Sequence, residues 1–139
     1  MLDILVILQC AYATTEQRRT EIESRSMWLD GLWASHTGKR LKKILPSNCI
    51  VDVINSTTKI GRVSSAVFPP DIQYVKEYID VSKPTVVLAC GKVAQNCMRK
   101  IGYVFIESPH PAWRRLSNKQ VLVIRKRIGK HIDTKRREK

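Results

Sequence analysis

Four short apolar runs, "DILVILQ" (3–9), "CIVDVIN" (49–55), "PTVVLAC" (84–90) and "YVFIE" (103–107), alternate with stretches whose apolar residues recur at helical spacing. Strands that alternate with helices form βα units and a mostly parallel sheet, covered by helices. The first and third runs are almost continuously apolar, as strands buried on both faces are. The expected fold class is therefore α/β, with a short, mainly parallel four-stranded sheet.

The intervening segments fit that frame. "RTEIESRSMWLDGLWAS" offers Ile22, Trp28, Leu29, Leu32 and Trp33 to one helical face, and "TGKRLKKIL" offers Leu41, Ile44 and Leu45. "PPDIQYVKEYIDVS" opens on prolines suited to a first turn and spaces Ile72, Val75 and Ile79 for burial. "GKVAQNCMRKIG" opens after Gly91 and stops at Gly102. A last helix is expected from near Trp113, carrying Leu116, Val121, Ile124 and Ile128 inward, with "DTKRREK" frayed. This reads as one domain over residues 1–132 and a basic, disordered tail over 133–139.

In sheets of this kind ligands sit beyond the carboxyl ends of the strands. The rule selects residues 9–13, 55–58, Gly91 and 108–115, and the chemistry-bearing side chains cluster there. His110 lies between Pro109 and Pro111, which restrict the backbone and make the imidazole's position reproducible. Asn55 closes its strand with a carboxamide that can accept and donate, enough to read both a carbonyl and an imino N–H of a pyrimidine. Taken singly, each has an ordinary reading: a surface-loop histidine and a turn-forming asparagine.

Charge narrows the class of partner. Lys and Arg number 25 against 12 Asp and Glu, a formal net charge of +13. So large an excess in 139 residues favours an anionic partner, nucleic acid first, over a merely solvated basic surface. Arg114, Arg115 and Lys119 follow His110 closely and are candidate phosphate contacts. Trp33 near a helix end is read either as core or as a base-stacking platform. The four cysteines, Cys10, Cys49, Cys90 and Cys97, form no C-x-x-C pair, so zinc-ribbon and thioredoxin motifs are excluded. "MLDILVILQC" lacks a basic n-region and carries Asp3, and no segment approaches the ~18–20 apolar residues of a membrane span. A soluble, intracellular protein is expected, with no membrane partner.

Two stretches, "PTVVLACGKVAQNCM" and "YVFIESPHPAWRRLSN", together resemble the C-terminal half of the uracil-DNA glycosylase superfamily. In that family a strand running into G-[KR]-x-A is followed by a strand running into an H-P-S/A loop. "TGKRLKKIL…CIVDVIN" is similar to the family's middle segment, and "LQCAYA" occupies the place of its first motif. The resemblance covers residues 3–128 in order and implies a compact, divergent member, of the kind a virus or mobile element carries. It implies a three-layer α/β/α sandwich and an enzyme that flips a damaged base from DNA and cleaves its N-glycosidic bond; a monomer without a cofactor is expected. His110 would then stabilise charge on the base carbonyl and Asn55 would read the base edge. Trp33 would replace the family's stacking phenylalanine, while Gln9 and Tyr12 match the glutamine and tyrosine of the G-Q-D-P-Y form. The loop carrying Pro109, Pro111, Trp113, Arg114 and Arg115, with Lys119 beyond it, would press on the DNA.

One departure bears directly on the chemistry. Cys10 and Ala11 stand where the family has aspartate and proline, so the water-activating acid is missing and Cys10 takes its catalytic position. A neutral thiol neither orients water nor favours sugar cation character, which leaves uracil itself a poor substrate; Glu16 is the nearest substitute acid. Two other readings stay open: a non-catalytic DNA-binding or inhibitory module that keeps the glycosylase fold, and a nucleotide-binding domain of flavodoxin type.

Overall fold

The structure, a computed structural model, describes residues 2–63 and 65–138. In chain order the elements are β1 (Ile4–Leu8), β2 (Ala11–Tyr12), α1 (Glu16–Glu23), α2 (Arg25–Ala34), α3 (His36–Ile44) and β3 (Val51–Asn55). They continue with β4 (Ile60–Gly61), α4 (Ile72–Ser82), β5 (Val86–Cys90), α5 (Lys92–Ile101), β6 (Ile106–Ser108) and α6 (Asn118–Arg137). The main sheet is four-stranded in the order β3-β1-β5-β6, and every neighbouring pair is parallel.

Period-two alternation on the central strands divides the core. Ile4, Val6 and Leu8 face a cluster built with Trp28, Leu32, Leu41, Ile44, Ile124 and Ile128 from α2, α3 and α6. Leu5 and Ile7 face the opposite cluster, with Val75 and Ile79 of α4 and Ala94, Cys97 and Met98 of α5. Both faces of β1 and β5 are fully buried, which is why their sequences read as unbroken apolar runs. Each Val, Leu or Ile among them stabilises the fold by roughly 1.5–3 kcal/mol relative to exposure. The α/β fold expected from the alternation of strands and helices is the one present, with helices packed on both faces of the sheet.

Several boundaries differ from the expectation, each for a local reason. The helical stretch before residue 35 is two helices, because the chain turns extended at Ser24 (φ −82°, ψ 114°) between α1 and α2. The last helix starts at Asn118, not near Trp113. Ser117 and Gln120 form a reciprocal capping box, and the preceding residues are taken up by two turns. The segment expected to fray is instead helical through Arg137. Ile132 is buried, basic residues complement the last turn, and Arg136 reaches Asp3 at 3.7 Å. A two-residue parallel pair, β2 with β4, is too short to leave a sequence pattern. No helix among the described residues is long and apolar enough to cross a membrane.

The join between α2 and α3 fixes one wall of the space beyond the strand ends. Ser35 ends α2 and caps α3, its side chain accepting from the Gly38 N–H at 3.2 Å. A Cβ on Gly38 would collide with the Leu32 carbonyl and the Trp33 Cα, so this corner closes only on glycine.

Candidate functional site

Beyond the carboxyl ends of β1 and β3 lies a half-open cavity of about 610 Å³. Gln9, Cys10 and Tyr12 line it from the segment after β1, Asn55 from the last position of β3, and His110 from the loop after β6. Residues far apart in sequence therefore meet at one edge of the sheet. The strand register explains part of this: Leu8 pairs with Asn55, so the segment after β1 and the end of β3 emerge side by side. Ser56 locks that alignment, donating its N–H to the Leu8 carbonyl and its hydroxyl to the Gln9 carbonyl, both at 2.8 Å.

His110 is held from both sides. Its carbonyl accepts from the Trp113 N–H at 2.9 Å, and the Trp113 carbonyl from the Leu116 N–H at 3.1 Å, giving two chained turns. Arg40 of α3 donates to the Leu116 carbonyl and fastens the far end of the loop. At the near end the Ser108 carbonyl accepts from both the Gly91 N–H (2.8 Å) and the Gln95 side chain (3.0 Å). Gly91 adopts φ +88° there, the strand-to-helix turn its position suggested. The Ala112 N–H donates to His110 Nδ1 at 3.1 Å, so Nδ1 carries no proton and Nε2 is the donor. Burial lowers the imidazole pKa below its ordinary value, and the side chain is neutral at pH 7.

Cys10 is a thiol, not a thiolate: burial raises its pKa, and Sγ lies 3.4 Å from the Ala66 carbonyl, to which it donates. The Gln9 amide reaches the same carbonyl at 3.4 Å. Tyr12, 48% exposed, stands at the mouth. Glu16, in the first turn of α1, is exposed and does not line the cavity.

Two lining residues carry no signal in the sequence. Trp28 supplies the aromatic wall expected of Trp33. Trp33 is instead half-buried against the core with Lys42 Nζ 5.6 Å from its ring centroid, away from the cavity. Five residues at 100° each separate the two indoles by about 140° around α2, so only one can face the cavity. Arg18 of α1 is the only formally charged side chain in the lining among the described residues, and it pairs there with Glu21 at 3.1 Å. Among the described residues the cavity wall contains no carboxylate, and no group of three or more His, Cys, Asp or Glu side chains converges.

Of the remaining predicted residues, Pro111 is buried and Pro109 half-buried, while Trp113, Arg114, Arg115 and Lys119 are exposed. None of the six lines this cavity; Pro109, Trp113 and Lys119 line a second space, and Arg114 and Arg115 line neither.

Fold and site together define a three-layer α/β/α protein with a neutral-to-cationic cavity, amide- and imidazole-lined, at the carboxyl edge of its sheet. Compared with protein-family models, curated proteins and solved structures, the chain has no match.

Proposed function

We propose that the protein is a monomeric DNA glycosylase, which takes a uracil-like or modified pyrimidine into the cavity and hydrolyses its N-glycosidic bond. The observation that carries this reading is the meeting of Gln9, Asn55 and His110 around one cavity beside an aromatic wall, Trp28. Chemistry on a base requires its removal from the stack, at a cost of a few kcal/mol that pocket and backbone contacts must offset. A carboxamide such as Asn55 can discriminate a pyrimidine edge, and a ring such as Trp28 can cover its face. Cleavage leaves the base as an anion. A neutral imidazole held by its loop, with Nδ1 occupied and Nε2–H as the donor, suits the stabilisation of that developing charge.

A second reading is favoured by one specific feature, the lack of a carboxylate in the wall among the described residues. Without an acid to orient water, the same cavity serves a module that captures an everted base and does not cleave it. One experiment separates the two. Oligonucleotides carrying a panel of modified pyrimidines are incubated with excess protein and assayed for abasic sites. Release of any base supports the glycosylase; tight binding to the panel with no abasic sites gives the capture module.

A further inference from the structure

A second and larger cavity, about 800 Å³, lies on the other side of the His110 loop, between the start of α5, β6 and the first half of α6. His110 is the one described residue that lines both spaces, so its loop is a partition between them. The floor is apolar, with Pro109, Ile124 and Val123, the last 49% exposed. Trp113, 44% exposed, stands at its side. The rim is cationic: Lys92 from the first turn of α5, and Lys119 and Arg127 eight residues apart on α6. None of these three takes part in an ion pair among the described residues. Glu107, the one carboxylate in the wall among the described residues, is engaged by Arg99.

We propose that this groove holds the nucleotide adjoining the one whose base enters the first cavity, so that the 109–113 loop parts two neighbours of a single strand. The inference rests on the glycosylase or capture reading and extends it to strand type and context. An aromatic wall with an apolar floor suits a base face, and a rim of unpaired cations suits the phosphate attached to it. The volume falls within the ~300–1,000 Å³ of pockets that take ligands of about nucleotide size. A base still paired in a duplex cannot present its face to Trp113, so the groove selects an unpaired neighbour. An acidic peptide would satisfy the rim and leave the tryptophan and the floor without a partner.

The test uses the full chain and an unmodified oligothymidylate, which carries no base to excise, with binding read by fluorescence anisotropy. Trp113→Ala should weaken binding about 10-fold or more, within the range for loss of one base–aromatic stack. Trp113→Phe should restore most of it. Lys119→Gln with Arg127→Gln should lower the slope of log affinity against log salt by about 0.7 for each phosphate no longer neutralised. Oligoglutamate of equal charge should compete poorly. If both sets of variants bind like the wild type, or oligoglutamate competes equally, the groove proposal is overturned. The outcomes separate from those of the first cavity. Variant-sensitive oligothymidylate binding with no base released from any substrate leaves the groove standing and removes the glycosylase. Base release with variant-insensitive oligothymidylate binding does the reverse.

Discussion

At the scale of single residues, His110 makes the sharpest prediction. In the glycosylase proposed above its Nε2–H is the donor that meets charge on the departing base, and losing one such donor costs on the order of 100-fold or more in rate. Single-turnover base release by His110→Ala should fall by that amount while the protein stays folded and bound to DNA; unfolding would make the residue structural. Burial also links the side chain to acid stability. The folded-state pKa lies below the ordinary 6.5, so the unfolded chain takes up the proton first as pH falls. The contribution is fully present above about pH 6.5 and is lost as pH drops through the depressed folded value. The wild type should therefore lose more melting temperature between about pH 7.5 and 5.5 than His110→Asn. Equal losses would show that the imidazole is not desolvated. Cys10 tests the missing acid: Cys10→Asp should gain excision of uracil from single strands, and Glu16→Gln, exposed and outside the cavity lining, should change little. No gain in a folded, DNA-binding Cys10→Asp protein would favour the capture module. The strand-end residues were readable in the sequence because topology fixes where strands end. Trp28, Trp33 and Arg18 were not, because their facing depends on the helix phase set by the break at Ser24.

At the scale of elements, the α2–α3 corner shows how propensity misleads. Alanine is favoured over glycine in a helix by about 1 kcal/mol, so Gly38→Ala should stabilise an isolated α3. In the folded protein the added methyl meets the Leu32 carbonyl, a backbone atom that cannot rotate away. Gly38→Ala should destabilise by roughly 1–3 kcal/mol, the usual cost of overpacking, read as a lower urea midpoint. A neutral or stabilising result would mean that the corner can open. The start of α6 was legible in principle, since "SNKQ" at 117–120 has the S-x-x-Q form of a capping box. Hydrophobic spacing alone extended the helix back to Trp113, because Leu116 is buried yet lies in a turn. Nothing comparable marks β2 and β4, whose pairing depends on the fold-back of residues distant in sequence.

At the scale of the whole molecule, charge and shape act together. Lys92, Lys119 and Arg127 rim the second cavity and Arg18 lines the first, in a chain of formal net charge +13. Duplex binding should weaken steeply with salt, with a log–log slope of about 0.9 for each phosphate neutralised. Titration of affinity between about 50 and 200 mM salt measures it, and a flat response would remove DNA as the partner. The alternation of strand and helix was the most legible feature of all, because burying both faces of a parallel sheet leaves long apolar runs that no local accident imitates.

The salt bridge between Asp3 and Arg136 has a consequence for engineering. Asp3 also accepts from the Ile50 N–H at 2.8 Å, so the entry to β1, the entry to β3 and the last turn of α6 are gathered at one corner. That corner lies a full strand length, ~17 Å, from the cavity at the other end of β1. Residues 3 and 136 could thus be joined by a short linker and the chain reopened elsewhere. A circular permutant cut within 46–49 would leave every wall of both cavities in place.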